Sequence, residues 1–142
     1  MRLTADRVSE FLPLLRSIHG SAWPDIPFIE ADARESVIAH IESETATVFA
    51  IDEGERKAIL MLDTAPLLGS YDTSIIVETA WGSTDPAPAN SAARLLYEAK
   101  RWASAIGSAH MQINLGGKRK GAARFIQKLG GEVAHTAGIW RL

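Results

Sequence analysis

Glu78 is the only charged residue in the apolar run SIIVETAW at 74–81. A loop of small residues and prolines follows it. After the loop, Ala92, Leu95, Leu96, Ala99, Trp102 and Ala103 recur at the spacing of one helix face. A strand that feeds a helix through small residues leaves backbone N–H groups open at the helix start, and these together with the helix dipole suit a phosphorylated ligand. Asn90 and Ser91 are capping residues, Ala92 and Ala93 leave room for a close approach, and Arg94 adds a positive charge. A carboxylate beside such a site is a candidate general base. The combination points to group transfer from a phosphate-bearing cofactor. Each part also has a plainer role. Glu78 can face solvent from a strand, 90–94 can simply start a helix, and Arg94 can lie on its wet face.

Other chemistries have less support. The chain has no cysteine, which removes disulfides, thiolate metal sites and a cysteine nucleophile. His19, His40, His110 and His135 show no metal-ligand spacing with one another or with a carboxylate pair. His40 reads as a helix-edge residue, and no serine has an evident base beside it. Lys118, Arg119, Lys120 and Arg124 form the one dense basic cluster. Such a run is usually a solvated helix start, but positive charge there opposes the dipole and so suits an anionic partner, a phosphate or a nucleic-acid backbone.

The elements that must position these residues follow from the pattern. Residues 4–19 place Val8, Leu12, Leu15 and Ile18 at helical spacing, with Thr4 as cap, Gly20 as stop and Pro13 forcing a kink or a late start. GSAWPDIPF (20–28) is irregular, and a second helix spans about 30–43. TVFAID (47–52) and KAILMLD (57–63) flank the turn EGER as a hairpin. Residues 64–73 read as a loop. Strand 74–81, helix 91–106, strand 110–115, helix 118–130 and one strand or a bent pair in EVAHTAGIWRL complete the order. A hairpin-rich half followed by β-α-β-α-β predicts an α/β fold with a mixed sheet and helices on both faces. No GxGxxG follows the first strand, which argues against a dinucleotide-binding fold.

The 142 residues suit one domain, 1–142, and 46% hydrophobic with 23% charged residues is a globular balance able to form a core. A formal net charge of -2 argues against nonspecific nucleic-acid binding by the whole surface. No apolar run is long enough to span a membrane, the start MRLTADRVSEF lacks a signal core, and the expectation is a cytoplasmic protein.

Three stretches carry a resemblance. TVFAIDEGERKAILML, then IIVETAW with its loop and AARLLYEAKRWASAIGSAHMQINL, then AARFIQKLGGEVAH, together resemble the GNAT superfamily of acyl-CoA-dependent N-acyltransferases, including short members found in phage genomes. The resemblance covers nearly the whole chain by element order. Two departures stand out. DPAPANSAARLL has no glycine and no Arg or Gln before the helix, so the phosphate loop is degenerate. Ile126 stands where the family usually carries the tyrosine that protonates the departing thiolate.

The resemblance implies a mostly antiparallel twisted sheet with splayed central strands and about four helices. It implies acetyl-CoA or another acyl-CoA in the gap between the Glu78 strand and strand 110–115, with its amide groups on the edge at Ala80, Trp81 and Gly82. Asn114 would bond the pantetheine arm or place a water, or else is a turn residue. Trp23, Asp25, Phe28 and Tyr71 would wall the acceptor site, or pin their loops to the core. Glu78 would take a proton from an amine that attacks the thioester directly. The acceptor stays open between small molecules, protein amines and modified bases in phage DNA. The alternative is a noncatalytic binding or assembly module on this fold, a homodimer among its forms.

Overall fold

The computed structural model describes residues 1–67, 69–108, 110–114 and 122–131. The expected first helix divides in two. Ala5–Phe11 is a 3-10 helix that follows the extended Thr4. Helix α1 (Leu12–Ala22) then begins with Pro13 in its first turn. A proline costs no hydrogen bond there and its fixed φ suits a helix start, so Pro13 sets where the α-helix begins. Gly20 does not end it. The helix runs on to Ala22, and the Trp23 N–H closes it by donating to the His19 carbonyl at 2.7 Å. Helix α2 (Glu30–Glu42) carries Glu30 and Asp32 in its first turn, where the dipole favours acid.

Strands β1 (Thr47–Glu53), β2 (Arg56–Leu67) and β3 (Ser70–Ser83) form an antiparallel meander, and β4 (Met111–Gln112) joins β3 in parallel, giving the order β1-β2-β3-β4. The 64–73 stretch, expected as a loop, is mostly strand. Asp63 to Pro66 pair with Val77 to Ser74, and the chain reverses through Gly69 at φ +86. The turn-forming residues of that stretch do not specify a loop, because a partner strand supplies ladder bonds to them. Helix α3 (Ser91–Ala105) and the short helix α4 (Ala122–Lys128) follow. The expected closing strand or bent pair at 132–142 and Lys118, Arg119 and Lys120 lie outside the described residues.

The sheet separates two cores. On one face Val48, Ala50, Ile59 and Met61 pack under α1, α2 and the 3-10 segment, with Phe11, Leu15 and Val37. On the other, Phe49, Leu60, Leu62 and Ile76 pack against Leu95, Leu96, Ala99 and Trp102 of α3. This alternation along β1 and β2 is the period of a strand buried on both sides. Helix α1 approaches β3 closely. A Cβ added at Gly82 would lie 2.6 Å from Ile18 Cγ1. The 3-10 segment is stapled to the hairpin by Asp52, which bonds Arg7, Lys57 Nζ at 2.6 Å and the Gly54 N–H at 3.0 Å.

Candidate active site

The site begins with an extra residue in β3. Met61 faces Ala80 and Leu62 faces Glu78, so Thr79 has no counterpart on β2 and forms a β-bulge. Up to the bulge, Ile76 and Glu78 share the face of Leu62 and α3. Beyond it, Ala80 packs with Met61 on the face of α1 and α2. Thr79 also turns to that face, where its Oγ1 lies 3.2 Å from His40 Nε2 of α2.

The strands part at the same place. Among the described residues, β3 and β4 pair only at Ile76–Met111 and Val77–Gln112. The Asn114 N–H then donates to Glu78 Oε2 at 3.0 Å rather than to the β3 backbone. Among the described residues, the β3–β4 ladder ends at Val77. The Thr84 N–H donates to Lys57 O, so by the antiparallel alternation Gly82 and Ala80 turn their backbone groups to β2 as well, while Trp81 turns its own toward the β4 side. Of the 80–82 stretch, Trp81 is therefore the residue whose N–H and C=O address the gap. Its side chain packs on the α3-side core, as does that of Met111.

The start of α3 is built differently from its expected form. Asn90 occupies the cap in the left-handed region, φ 53, and its side chain makes no capping bond. Asparagine is one of the few residues that tolerate this conformation. The buried Ser91 donates its N–H to Pro88 O at 3.1 Å, and the Arg94 N–H returns to Asn90 O at 3.0 Å. The Ala92 and Ala93 N–H groups have no acceptor among the described residues, as first-turn donors do when no cap serves them. The Arg94 guanidinium points back instead of forward, bonding Glu53 Oε1 at 2.7 Å and Ala89 O at 3.3 Å.

The residues expected to wall an acceptor site are spread over two regions. Trp23 caps α1 and is exposed, and Asp25 is exposed in the next turn. Phe28 packs on the α1/α2 core between an edge-on His19 ring, centroids 5.5 Å apart, and the Arg16 guanidinium at 5.0 Å. Tyr71 falls inside β3, not in a loop. Ile126 lies on α4 and packs against the α3-side core. Arg124, from the basic cluster, is exposed on α4. Among the described residues, no three His, Asp or Glu side chains gather as a metal site. An open groove of about 830 Å³ runs along the far end of β3, lined by Pro13, Leu14, Glu53, Arg56, Thr84 and Pro86 among others.

Sequence reasoning missed the bulge and the Thr79–His40 contact. Ser36 and His40 are one helical turn apart, which is visible in sequence. His40 and Thr79, 39 positions apart, carry no such signal.

No family model matches the sequence, and no curated protein sequence does. Solved structures do match. A probable acetyltransferase superposes with a TM-score of 0.73 at 14% identity, over 100% of this chain and 95% of that one. A transcriptional regulator from Bacillus halodurans C-125 gives 0.76 at 14% identity, over 100% and 97%. An aminoglycoside N-acetyltransferase in complex with CoA gives 0.61 at 15% identity, over 94% and 90%. At these identities the likeness is one of fold, and the chain has the GNAT-like mixed α/β fold that the sequence resemblance implies.

Proposed function

We propose that the protein is an acyl-CoA-dependent N-acyltransferase that acts by direct attack of an amine. The observation that carries this is the opening of β3 from β4 at Glu78, with a carboxylate at its mouth and a bulge beside it. The residues fit the cofactor. Two unserved N–H groups, of Ala92 and Ala93, suit its phosphates, with Ser91 and Asn90 fixing the turn before them. We place its amide-bearing arm along β3 at Ala80, Trp81 and Gly82. Asn114 sits across the gap. Bound there, the cofactor would supply an activated acyl group. Glu78 would take the proton from the amine, and backbone N–H groups would hold the oxyanion.

Arg94 is held by Glu53, so a contribution to phosphate binding would require that pair to open. The acceptor would be a small or macromolecular amine, with Trp23, Asp25 and Phe28 on the α1/α2 side and Tyr71 on β3 as its proposed contacts. A base in DNA is the least favoured acceptor, given the acidic balance of the chain. A transcriptional regulator shares this fold, and Ile126 replaces the family's acid, so the competing proposal is a noncatalytic module.

Calorimetric titration with acetyl-CoA and with free CoA tests the choice. Saturable binding of both supports the transferase. No binding to either from a folded sample overturns it and leaves the noncatalytic module.

A further inference from the structure

Thr79 is the inserted residue of the β3 bulge, its side chain is exposed, and its hydroxyl faces an imidazole. His40 has Nδ1 2.8 Å from the Ser36 carbonyl oxygen and Nε2 3.2 Å from Thr79 Oγ1. A carbonyl only accepts, so in the neutral ring Nδ1 carries the proton and Nε2 offers its lone pair to the Thr79 hydroxyl. The helix fixes this arrangement, because Ser36 O lies one turn before His40 on α2. A hydroxyl within reach of a base, with a third group orienting that base, is the arrangement of an activated nucleophile. Bulges re-aim side chains in this way beside active sites. With perfect pairing there would be no inserted residue to reach α2.

We propose that Thr79 is a nucleophile on the α1/α2 face of β3, activated by His40, that accepts an acyl group from a thioester or from an ester with a good leaving group. This goes beyond the direct transfer assigned to Glu78, and it rests on the acyl-CoA proposal only for the identity of the natural donor. Thr79 Oγ1 forms a bond to the acyl carbon, the bond from that carbon to the donor's sulfur or oxygen breaks, and the Oγ1 proton passes to His40 Nε2. The imidazolium, still donating from Nδ1 to Ser36 O, gives that proton to the departing thiolate or phenolate. An amine or water then attacks the Thr79 ester, and the proton it loses returns to Oγ1 through Nε2. No oxidant or further reactant enters.

The test needs no acceptor. Intact protein is mixed separately with p-nitrophenyl acetate and with acetyl-CoA, quenched in acid and mapped by peptide mass spectrometry. One acetyl group is expected on Thr79 with either donor. Thr79→Val, which keeps the side-chain shape, removes it and Thr79→Ser restores it. His40→Gln slows its appearance on the order of 100-fold or more. Circular dichroism checks that each variant is folded. Acetylation of Thr79 by the nitrophenyl ester alone keeps the nucleophile and overturns the CoA donor. Acetylation confined to lysines, at the same rate in Thr79→Val, overturns the nucleophile even where calorimetry shows acetyl-CoA binding. His40→Gln acylating as fast as the parent protein overturns the role of the imidazole.

Discussion

The Asn114 backbone N–H donates to Glu78 Oε2 at 3.0 Å, across the gap where β3 and β4 cease to pair. A ladder bond would continue the sheet at this point. The carboxylate replaces it and is held at the mouth of the opening. Glu78→Gln tests what the charge does there, since an amide oxygen can still accept from Asn114. Transfer should fall by roughly 100- to 10,000-fold, the usual worth of a general base. CoA affinity and melting temperature should stay close to the parent values. Unchanged turnover with any acceptor would remove Glu78 from the chemistry.

The two N–H groups at the start of α3 make a second prediction. Ala92→Asp puts a carboxylate in the first helical turn, which stabilises the dipole by up to about 1 kcal/mol. The same charge would repel a phosphate. Thermal stability should hold or rise while CoA affinity, read by calorimetry, drops at least about tenfold, or ~1.4 kcal/mol. Equal losses of stability and affinity would mean that the helix start is only structural.

Acid should unfasten the 3-10 segment. The Asp52 carboxyl titrates below the ordinary aspartate value of 3.8, first because Lys57 hydrogen-bonds it, against a desolvation cost, and with help from the Gly54 N–H. A carboxyl lowered in the folded state adds stability that is complete above its unfolded value and disappears as pH falls through the folded one. Asp52→Asn should therefore lower stability near neutral pH and flatten that part of the acid unfolding curve. Urea melts from pH 2 to 7 would show it, and parallel curves for the two proteins would refute it.

The contact between α1 and β3 yields a packing prediction. Gly82→Ala places a methyl 2.6 Å from Ile18 Cγ1 and 2.7 Å from its Cδ1. Overpacking of this kind costs about 1–3 kcal/mol. Ile18→Ala in the same chain should recover part of that loss, because the colliding atoms belong to that one side chain. Denaturant melts of the single and double variants would measure the coupling, and additive losses would show that Ile18 is not the obstacle.

The sequence by itself determined the element order from Ala5 to Lys128, the hairpin of β1 and β2 and the face of α3 that carries Leu95, Leu96, Ala99 and Trp102. These depend on local spacing, because burial on one side repeats with the period of the backbone that displays it. Even Pro13 marked the helix start, since its ring restricts only its own turn. Where partners are distant, local signals failed. The turn residues of 64–73 became strand because β2 and β3 satisfy each other's backbone there, and Asn90 met its helix in a left-handed conformation without a side-chain cap. Glu78 stood out in sequence as a lone charge, yet its bond to Asn114 spans 36 residues and the Thr79–His40 contact 39. Only the tertiary structure decided those two meetings. The bulge that produces the second is one residue of excess length between paired strands, a quantity defined by both strands and readable from neither alone.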